Sequence, residues 1–522
     1  MRGIYIVLFS LLFVFGFVFL VSASDDSLYG GPARLAAMGN QEIVVEDNAT
    51  IIDLNNLGFE SAIFTRPAQS IIYLYPELDL MTLNEKETGV GTAWLDLYGG
   101  GTGASGAVNN GLLFFFSKDT ALTIKPMLSV LSGGENFFGN VNKFLYYIPS
   151  GELSIAQRLG NNFSIALTGG YMRQDYNVNN ANFGETDNYY DKIEYDLSFA
   201  MLPSTENDWT FALSAGNKTT SMLMPPTEID NISSSYYLSQ FSPLYIYNIH
   251  SYYKDTFGDE YYYDYNTNGF NISLGAASGK SGDMQVDVKA GLLADIAEEE
   301  SSKDIENGVT TTQPAEKIFT NGIGTDSELD FRMKLSGATI GLKGIFDFVN
   351  GDTPNGTESL LLGTGAAGIE NLLYAKGVAG INFGNKGFII PIEFFYDLIQ
   401  EYTKEGINET TSGWYDFGAR LGNEIGLSDA VSLRFGLDYT LNANYEQDKT
   451  NGIITDEESP AGSVNNPWLM QLGYNAGIGF KSQANEFNIG FRIEPQWNNP
   501  NPYYNDYEKF NFKVVSDLKF YL

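Results

Sequence analysis

The chain has no cysteine, which excludes a disulfide framework and a thiolate metal site. It has one histidine, His250. A multi-histidine metal site is therefore excluded, and any Ser–His nucleophile would have to use that residue. No GxSxG-like serine lies near it, and His250 reads as an ordinary loop residue. Basic residues are scarce, with 30 Lys and Arg against 64 Asp and Glu and a net charge of −34. Such a surface does not offer the clustered cations that nucleic-acid phosphates require. Past the N-terminal stretch no run approaches the ~18 consecutive apolar residues of a membrane-crossing helix. Nothing here calls for an enzyme, a cofactor or a metal.

What is plentiful is glycine and aromatic side chains: 56 Gly, 33 Tyr and 36 Phe in 522 residues, with only 18% charged. A membrane β-barrel uses glycine at bends and aromatics in its interfacial girdles. Residues 416–439 show the repeating unit. Ala419, Leu421, Ile425 and Leu427 fall on one face, with Arg420 and Glu424 on the other. Ser428-Asp429-Ala430 turns the chain. Val431, Leu433, Phe435, Leu437 and Tyr439 then alternate with Ser432, Arg434, Gly436 and Asp438. A period of two with charge on every second position makes a strand with one apolar and one wet face. A tilted strand crosses a bilayer in about 9–11 residues.

From residue 68 onward such strands come in pairs about short polar turns, for example 112–117 with 121–131, 373–383 with 388–396, and 472–480 with 487–493. Between the pairs lie long polar stretches: 174–188, 217–268, 297–327, 349–370, 401–412, 442–466 and 495–508. Short turn and long loop in alternation is the asymmetry of bacterial outer-membrane barrels, with the long loops outside. At the end of the chain Phe510, Phe512, Val514, Leu518, Phe520 and Leu522 share a face, as a closing strand would. The segments suggest roughly 18 strands, within the range of such barrels.

The N-terminus carries Arg2, an apolar stretch 4–21 and small residues at 21–23. This reads as a secretory signal peptide cut after Ala23, with an uncleaved single-span anchor as the alternative. Loss of Arg2, its only charged side chain, would move the net charge to −35. Residues 24–58 do not alternate. Pro32 to Met38 predicts a short helix stopped at Gly39, 42–47 a short strand, and the apolar content a packed segment.

Three stretches of this segment resemble the start of the FadL and PorV-like outer-membrane barrels. They are Gly31-Pro-Ala-Arg-Leu-Ala-Ala-Met-Gly39, Val44-Val45-Glu46-Asp47-Asn48-Ala49-Thr50 and Asn55-Asn56-Leu57-Gly58. The last departs from the families' Asn-Pro-Ala-Gly box, having Asn56 and Leu57 at its centre. The resemblance covers about 30 residues and implies 14 strands, with Met38, Gly39, Asp47, Asn55, Asn56 and Gly58 in a plug. The FadL side implies passive uptake of a hydrophobic ligand that leaves through a wall opening. The PorV-like side implies a non-conducting scaffold for a surface or secreted protein partner.

Two glycine-rich stretches, 101–106 and 363–368, match a dinucleotide fingerprint. Neither has the strand–helix context that fingerprint needs, and both read as loop backbone. The tyrosine-rich stretch 245–265 reads as an interfacial aromatic belt with an acidic tip, the alternative being a ligand platform or a Ca²⁺ site. On the wet strand faces, Arg420, Glu424, Arg434, Asp438, Arg492 and Glu494 are the lumen-facing candidates, with Lys289, Asp287, Lys343 and Asp347 beside them. They either pair across strands or line a pore.

The expected fold is thus all-β: a transmembrane antiparallel up-and-down barrel of 14 to 18 strands with a short N-terminal plug. Its divisions are signal peptide 1–23, plug 24–66 and barrel 67–522, and its expected setting is the lipid of the bacterial outer membrane. Hydrophobic uptake, a protein scaffold and a water-filled, cation-preferring porin are the functions this leaves open.

Overall fold

The computed structural model describes residues 33–45, 53–66, 68–85, 99–137, 140–180, 184–205, 208–217, 248–254, 257–278, 283–306, 308–353, 368–385, 387–405, 407–458, 469–482, 485–498 and 507–522. The signal-peptide stretch 1–23 and Asp47 lie outside them. Six strands open the wall: β1 (Ile71–Glu85), β2 (Gly99–Ser117), β3 (Thr120–Phe137), β4 (Asn140–Leu159), β5 (Phe163–Asn180) and β6 (Gly184–Met201). Two short ones follow, β7 (Thr210–Gly216) and β8 (Asn248–Lys254). Then come β9 (Glu260–Ala277), β10 (Met284–Glu306), β11 (Val309–Leu335), β12 (Ala338–Thr353), β13 (Gly368–Asn385) and β14 (Phe388–Glu405). β15 (Asn408–Gly426), β16 (Val431–Thr450), β17 (Ile453–Glu458), β18 (Leu469–Lys481), β19 (Asn485–Asn498) and β20 (Tyr507–Tyr521) complete the circuit.

Every pairing is antiparallel, and β20 returns to pair with β1, from Ile71↔Tyr521 to Glu85↔Tyr507. β7 and β8 share one place between β6 and β9. β17 and β18 likewise share a place beside β16. Twenty strands therefore occupy eighteen positions of a closed barrel, the number suggested by the segments rather than the fourteen of the resemblance. Closure leaves no open sheet edge across the hydrocarbon, which is the condition for spanning it with strands.

Alternation sorts the faces. Along β5 and β6, Leu167 and Ile193 point outward, 64% and 61% exposed, and Leu197 and Phe199 follow them. Between them Ser164, Thr168, Asp196 and Ser198 point inward and are buried. Apolar side chains fully presented outside and buried polar ones inside are the inverse of a soluble barrel. This is a transmembrane β-barrel. The short turns are tight, with Gly160 at φ +72° and Gly337 at +85°.

Several expected loops are strand instead. Most of 297–327 belongs to β10 and β11, 401–412 is the β14–β15 hairpin, and 442–458 continues β16 into β17. Above the lipid both faces of a hairpin are wet, so its sequence carries no apolar alternation, while the ladder hydrogen bonds continue. For the same reason His250 lies in β8, paired between Tyr189 and Asp264. The described part of the tyrosine-rich stretch is mostly strand, in β8 and β9. Glycines 101, 103 and 106 lie in β2, not in a loop, and Gly103 and Gly106 are paired to β1 on one side and β3 on the other; 363–367 lies outside the described residues. In the N-terminal segment the helix spans only Ala33–Ala36 (α1), and 42–45 forms no strand, with a bend at 43–45.

Candidate functional site

The described N-terminal stretches line the inside of the barrel and travel backward around its wall. α1 begins against Val515 of β20. The chain then passes β19 to β11 with residues 33–45, and β9 to β2 with residues 53–66, before β1 begins. α1 ends in a Schellman arrangement: Gly39 N–H donates to Ala36 O at 3.1 Å and Asn40 N–H to Leu35 O at 3.0 Å. Gly39 has φ +86°, and a Cβ there would sit 2.8 Å from Leu437 O. Both conformation and space demand glycine.

The wall is hollowed to receive this chain. A Cβ on Gly422 would approach Met38 O to 2.7 Å, one on Gly477 the Ala37 Cβ to 2.5 Å, and one on Gly275 the Phe59 ring to 2.6 Å. Leu35, Met38, Ile43, Val44 and Val45 pack with Val378 and Phe395 of the wall. Leu54, Leu57 and Phe59 pack with Ala200, Ala212 and Ala277.

Charged wall side chains hold the backbone of residues 42–45. The Glu393 carboxylate accepts the N–H groups of Glu42, Ile43 and Val44 at 2.7, 2.7 and 2.9 Å. Arg332 donates to Ile43 O at 2.8 Å and Val45 O at 3.4 Å. The Glu42 side chain pairs with Lys376 at 2.9 Å and Arg420 at 2.5 Å. Burial would push the Glu42 carboxyl up, but the Arg420 and Lys376 charges outweigh it and bring its pKa down to about 2. A depressed carboxylate contributes stability that is complete above its ordinary pKa of 4.5 and lost as pH falls towards about 2. Plug seating should accordingly persist through pH 4.5. Bilayer current appearing already at that pH would contradict this.

The sequence-predicted residues fall as follows. Arg420 belongs to this clamp and stacks on Phe395, 4.3 Å from its ring centre. Glu424 bridges the plug residue Arg34, at 2.9 Å, to Arg434, at 2.6 Å. Arg434 donates on to Asn488 at 2.6 Å. Asp438 accepts from Arg492 at 2.5 Å and Asn475 at 2.6 Å. Glu494 lies in β19 opposite Asn511, two residues beyond Arg492. Lys289 pairs with Asp326, and Lys343 with Glu328 and Asp330. Ser327 N–H donates to Asp347, and Asp287 is buried.

In the plug, Met38 is buried, and Asn55, Asn56 and Gly58 form a turn closed by Asp53 and Arg66. Asn55 also donates to Glu60, which takes Lys125 at 2.9 Å. Glu42, Glu393, Arg332 and Lys376 were not singled out from sequence. Glu393 offered a signal, a lone carboxylate inside the apolar run 388–396.

The fold and site define a transmembrane β-barrel whose lumen is occupied by its own N-terminal segment. No known family profile and no curated protein matches the chain. Among solved structures it is similar to the P. putida toluene transporter TodX, with 8% identity over 95% of this chain and 98% of that one and a TM-score of 0.34. It is similar to the CymD monoaromatic hydrocarbon channel, with 11% identity over 94% and 97% and a TM-score of 0.34. It is also similar to the ferric yersiniabactin uptake receptor FyuA from Yersinia pestis, with 8% identity over 88% and 81% and a TM-score of 0.44. The fold stands on the closed ladder of strand pairs rather than on these likenesses.

Proposed function

We propose that the chain is a bacterial outer-membrane barrel for passive uptake of small hydrophobic molecules, in the manner its FadL-like opening residues imply. A gap in the described strand pairing carries this reading. β6 pairs with β7 as far as Asp196 and with β8 from Asp191. On the other side β9 pairs with β7 through Asn271 and with β8 from Asn266. Between these limits the described hydrogen bonds to β6 come from one residue, Asn217. Its Oδ1 accepts from Tyr195 N–H at 2.7 Å, its Nδ2 donates to Ile193 O at 2.8 Å, and its own N–H donates to Tyr195 O at 3.0 Å. One side chain here imitates a strand. Ile193 and Phe270 beside it face outward, so the gap lies at the edge of the apolar belt. Parting it would give a lumenal apolar molecule a sideways route into the bilayer, while the plug occupies the periplasmic end.

The test is entry of an apolar fluorophore into the bilayer of proteoliposomes. Asn217→Ala removes two hydrogen bonds, together about 1–3 kcal/mol, and is expected to speed entry about 5- to 150-fold. Absence of entry for both proteins would sink the reading. Steady ion current would then favour the porin, and a secreted protein bound to the purified barrel the PorV-like scaffold.

A further inference from the structure

On the rim away from the short turns, one group of strands stands taller than its neighbour β12. β5, β6, β8, β9, β10 and β11 stay paired out to Asn180↔Gly184, Glu185↔Lys254, Lys254↔Glu260, Ile305↔Glu260 and Glu306↔Val309. The outermost pair between β11 and β12 lies lower, at Thr320↔Asp352. Among the described residues, 309–319 of β11 therefore have β10 on one side and no strand on the other. They run on for roughly 30–35 Å, at about 3.3 Å per residue. Exposure agrees with this. Residues 308–317 are exposed throughout, whereas Ser301, Ser302, Asp304 and Ile305 of β10, which has neighbours on both sides, are buried or half-buried.

A free strand edge is a row of N–H and C=O groups ready to pair, and proteins usually blunt it with lysine, proline or a bulge. β11 does so only in its lower part. Pro314 has no N–H to offer and falls at the register shift between Glu300 and Ser302, and Lys317 follows it. Residues 309–313, Val-Thr-Thr-Thr-Gln, carry neither charge nor proline, and valine and threonine favour strands. The turn decides which groups are free. Glu306 and Val309 close a two-residue turn and exchange both their hydrogen bonds. Bonding to β10 then falls to Val309, Thr311 and Gln313, while Thr310 and Thr312 aim their backbone groups out of the sheet edge. The surroundings are acidic: residues 298–317 hold Glu298 to Glu300, Asp304, Glu306 and Glu316 against Lys303 and Lys317. Lys303 lies over the Tyr262 ring, 5.1 Å from its centre.

We propose that residues 309–313 of β11 are a docking edge for an extended, basic segment of another protein, which adds to the tall sheet as its next strand. Thr310 and Thr312 each exchange N–H and C=O bonds with it, and its lysine or arginine side chains meet the carboxylates of β10 and Glu316. Strand addition of this kind takes affinity from main-chain hydrogen bonds and specificity from alternate side chains. A second copy of this chain is the wrong occupant, because it would bring a further −34 of charge and an equally acidic edge. The edge needs nothing from the lumen, so the inference stands apart from the uptake reading.

The test uses the full chain in detergent and a short synthetic peptide alternating lysine with valine and threonine, beside its glutamate counterpart. Without peptide, the amides of Thr310 and Thr312 should exchange about tenfold faster than that of Thr311, which is bonded to β10. The lysine peptide should slow those two and leave Thr311 as it was. By fluorescence anisotropy, Thr312→Pro should weaken peptide binding roughly three- to tenfold, the worth of one hydrogen bond. Proline there removes an outward N–H and no bond to β10, the one place in a sheet that tolerates it. Thr312→Val keeps the N–H and should bind as the parent does. Melting temperatures matching the parent exclude misfolding as the cause. No slowing by the lysine peptide, unchanged binding by Thr312→Pro, or equal binding of the glutamate peptide would overturn the proposal. Self-association of the parent that Thr312→Pro abolishes would overturn it too, by putting a second copy on the edge.

Discussion

Glu393→Ala is expected to loosen the plug more than any other single side-chain deletion. The substitution leaves three N–H groups, those of Glu42, Ile43 and Val44, without their acceptor. It also removes a buried carboxylate 3.6 Å from Arg420. Breaking a buried charged pair by removing one partner costs about 3–5 kcal/mol, and a stranded buried donor about 1–3 kcal/mol. Even the lower figure corresponds to roughly a hundredfold rise in the undocked population. Maleimide labelling of Leu35→Cys in the Glu393→Ala background should accelerate by about that factor. Glu393→Gln keeps one acceptor oxygen and should fall between. Unchanged labelling in the alanine variant would mean that the clamp does not hold the plug.

Gly422→Val and Gly477→Val should have the second large effect, for a steric reason. Their Cβ atoms would stand 2.7 and 2.5 Å from plug atoms, inside the separation that side chains tolerate. Overpacking commonly costs about 1–3 kcal/mol where neighbours can shift. Here the neighbours are a backbone carbonyl and a methyl group of a chain already pressed against the opposite contacts. The same Cβ atoms would also stand 2.8 Å from the Pro391 ring and 2.6 Å from Ile489 O of the wall, so a melting temperature matching the parent is the check that the barrel persists with its plug displaced. Barrels of 16–18 strands leave an aqueous channel when nothing fills them. The expected readout in planar bilayers is steady current from either variant and silence from the parent. Gly169→Val is the matched control: that glycine is exposed with nothing within 4 Å of a Cβ, and its variant should stay silent. Silence from the Gly422 and Gly477 variants would argue that the lumen is closed by something other than the plug.

The barrel was legible because lipid writes on every second residue. Leu421, Leu437 and Phe435 face outward while Arg420, Arg434 and Asp438 are buried inside, as a period of two requires. That pattern ends where the lipid ends, so the outer hairpins of β10–β11 and β16–β17 were read as loops. The plug's presence could be read from its apolar residues and its resemblance. Its attachment could not, because Glu393 and Arg332 grip carbonyl and N–H groups, which are the same in every sequence. Long-range partners such as Arg34 with Glu424 carry no local signature either. The gap in the described pairing between β7 and β8 carries no local signature for a related reason. Asn217 looks like any polar loop residue until its side chain is placed on Ile193 and Tyr195 of β6, between the reach of β7 and that of β8.

Backbone amide exchange of the intact, unsubstituted protein in detergent measures the seating of the plug most directly. Glu42, Ile43 and Val44 lie in no helix or strand, so only the wall carboxylate can protect them. Exchange as slow as in the β15–β16 ladder is the expected result; exchange at the speed of a free peptide would contradict a plug gripped by the wall.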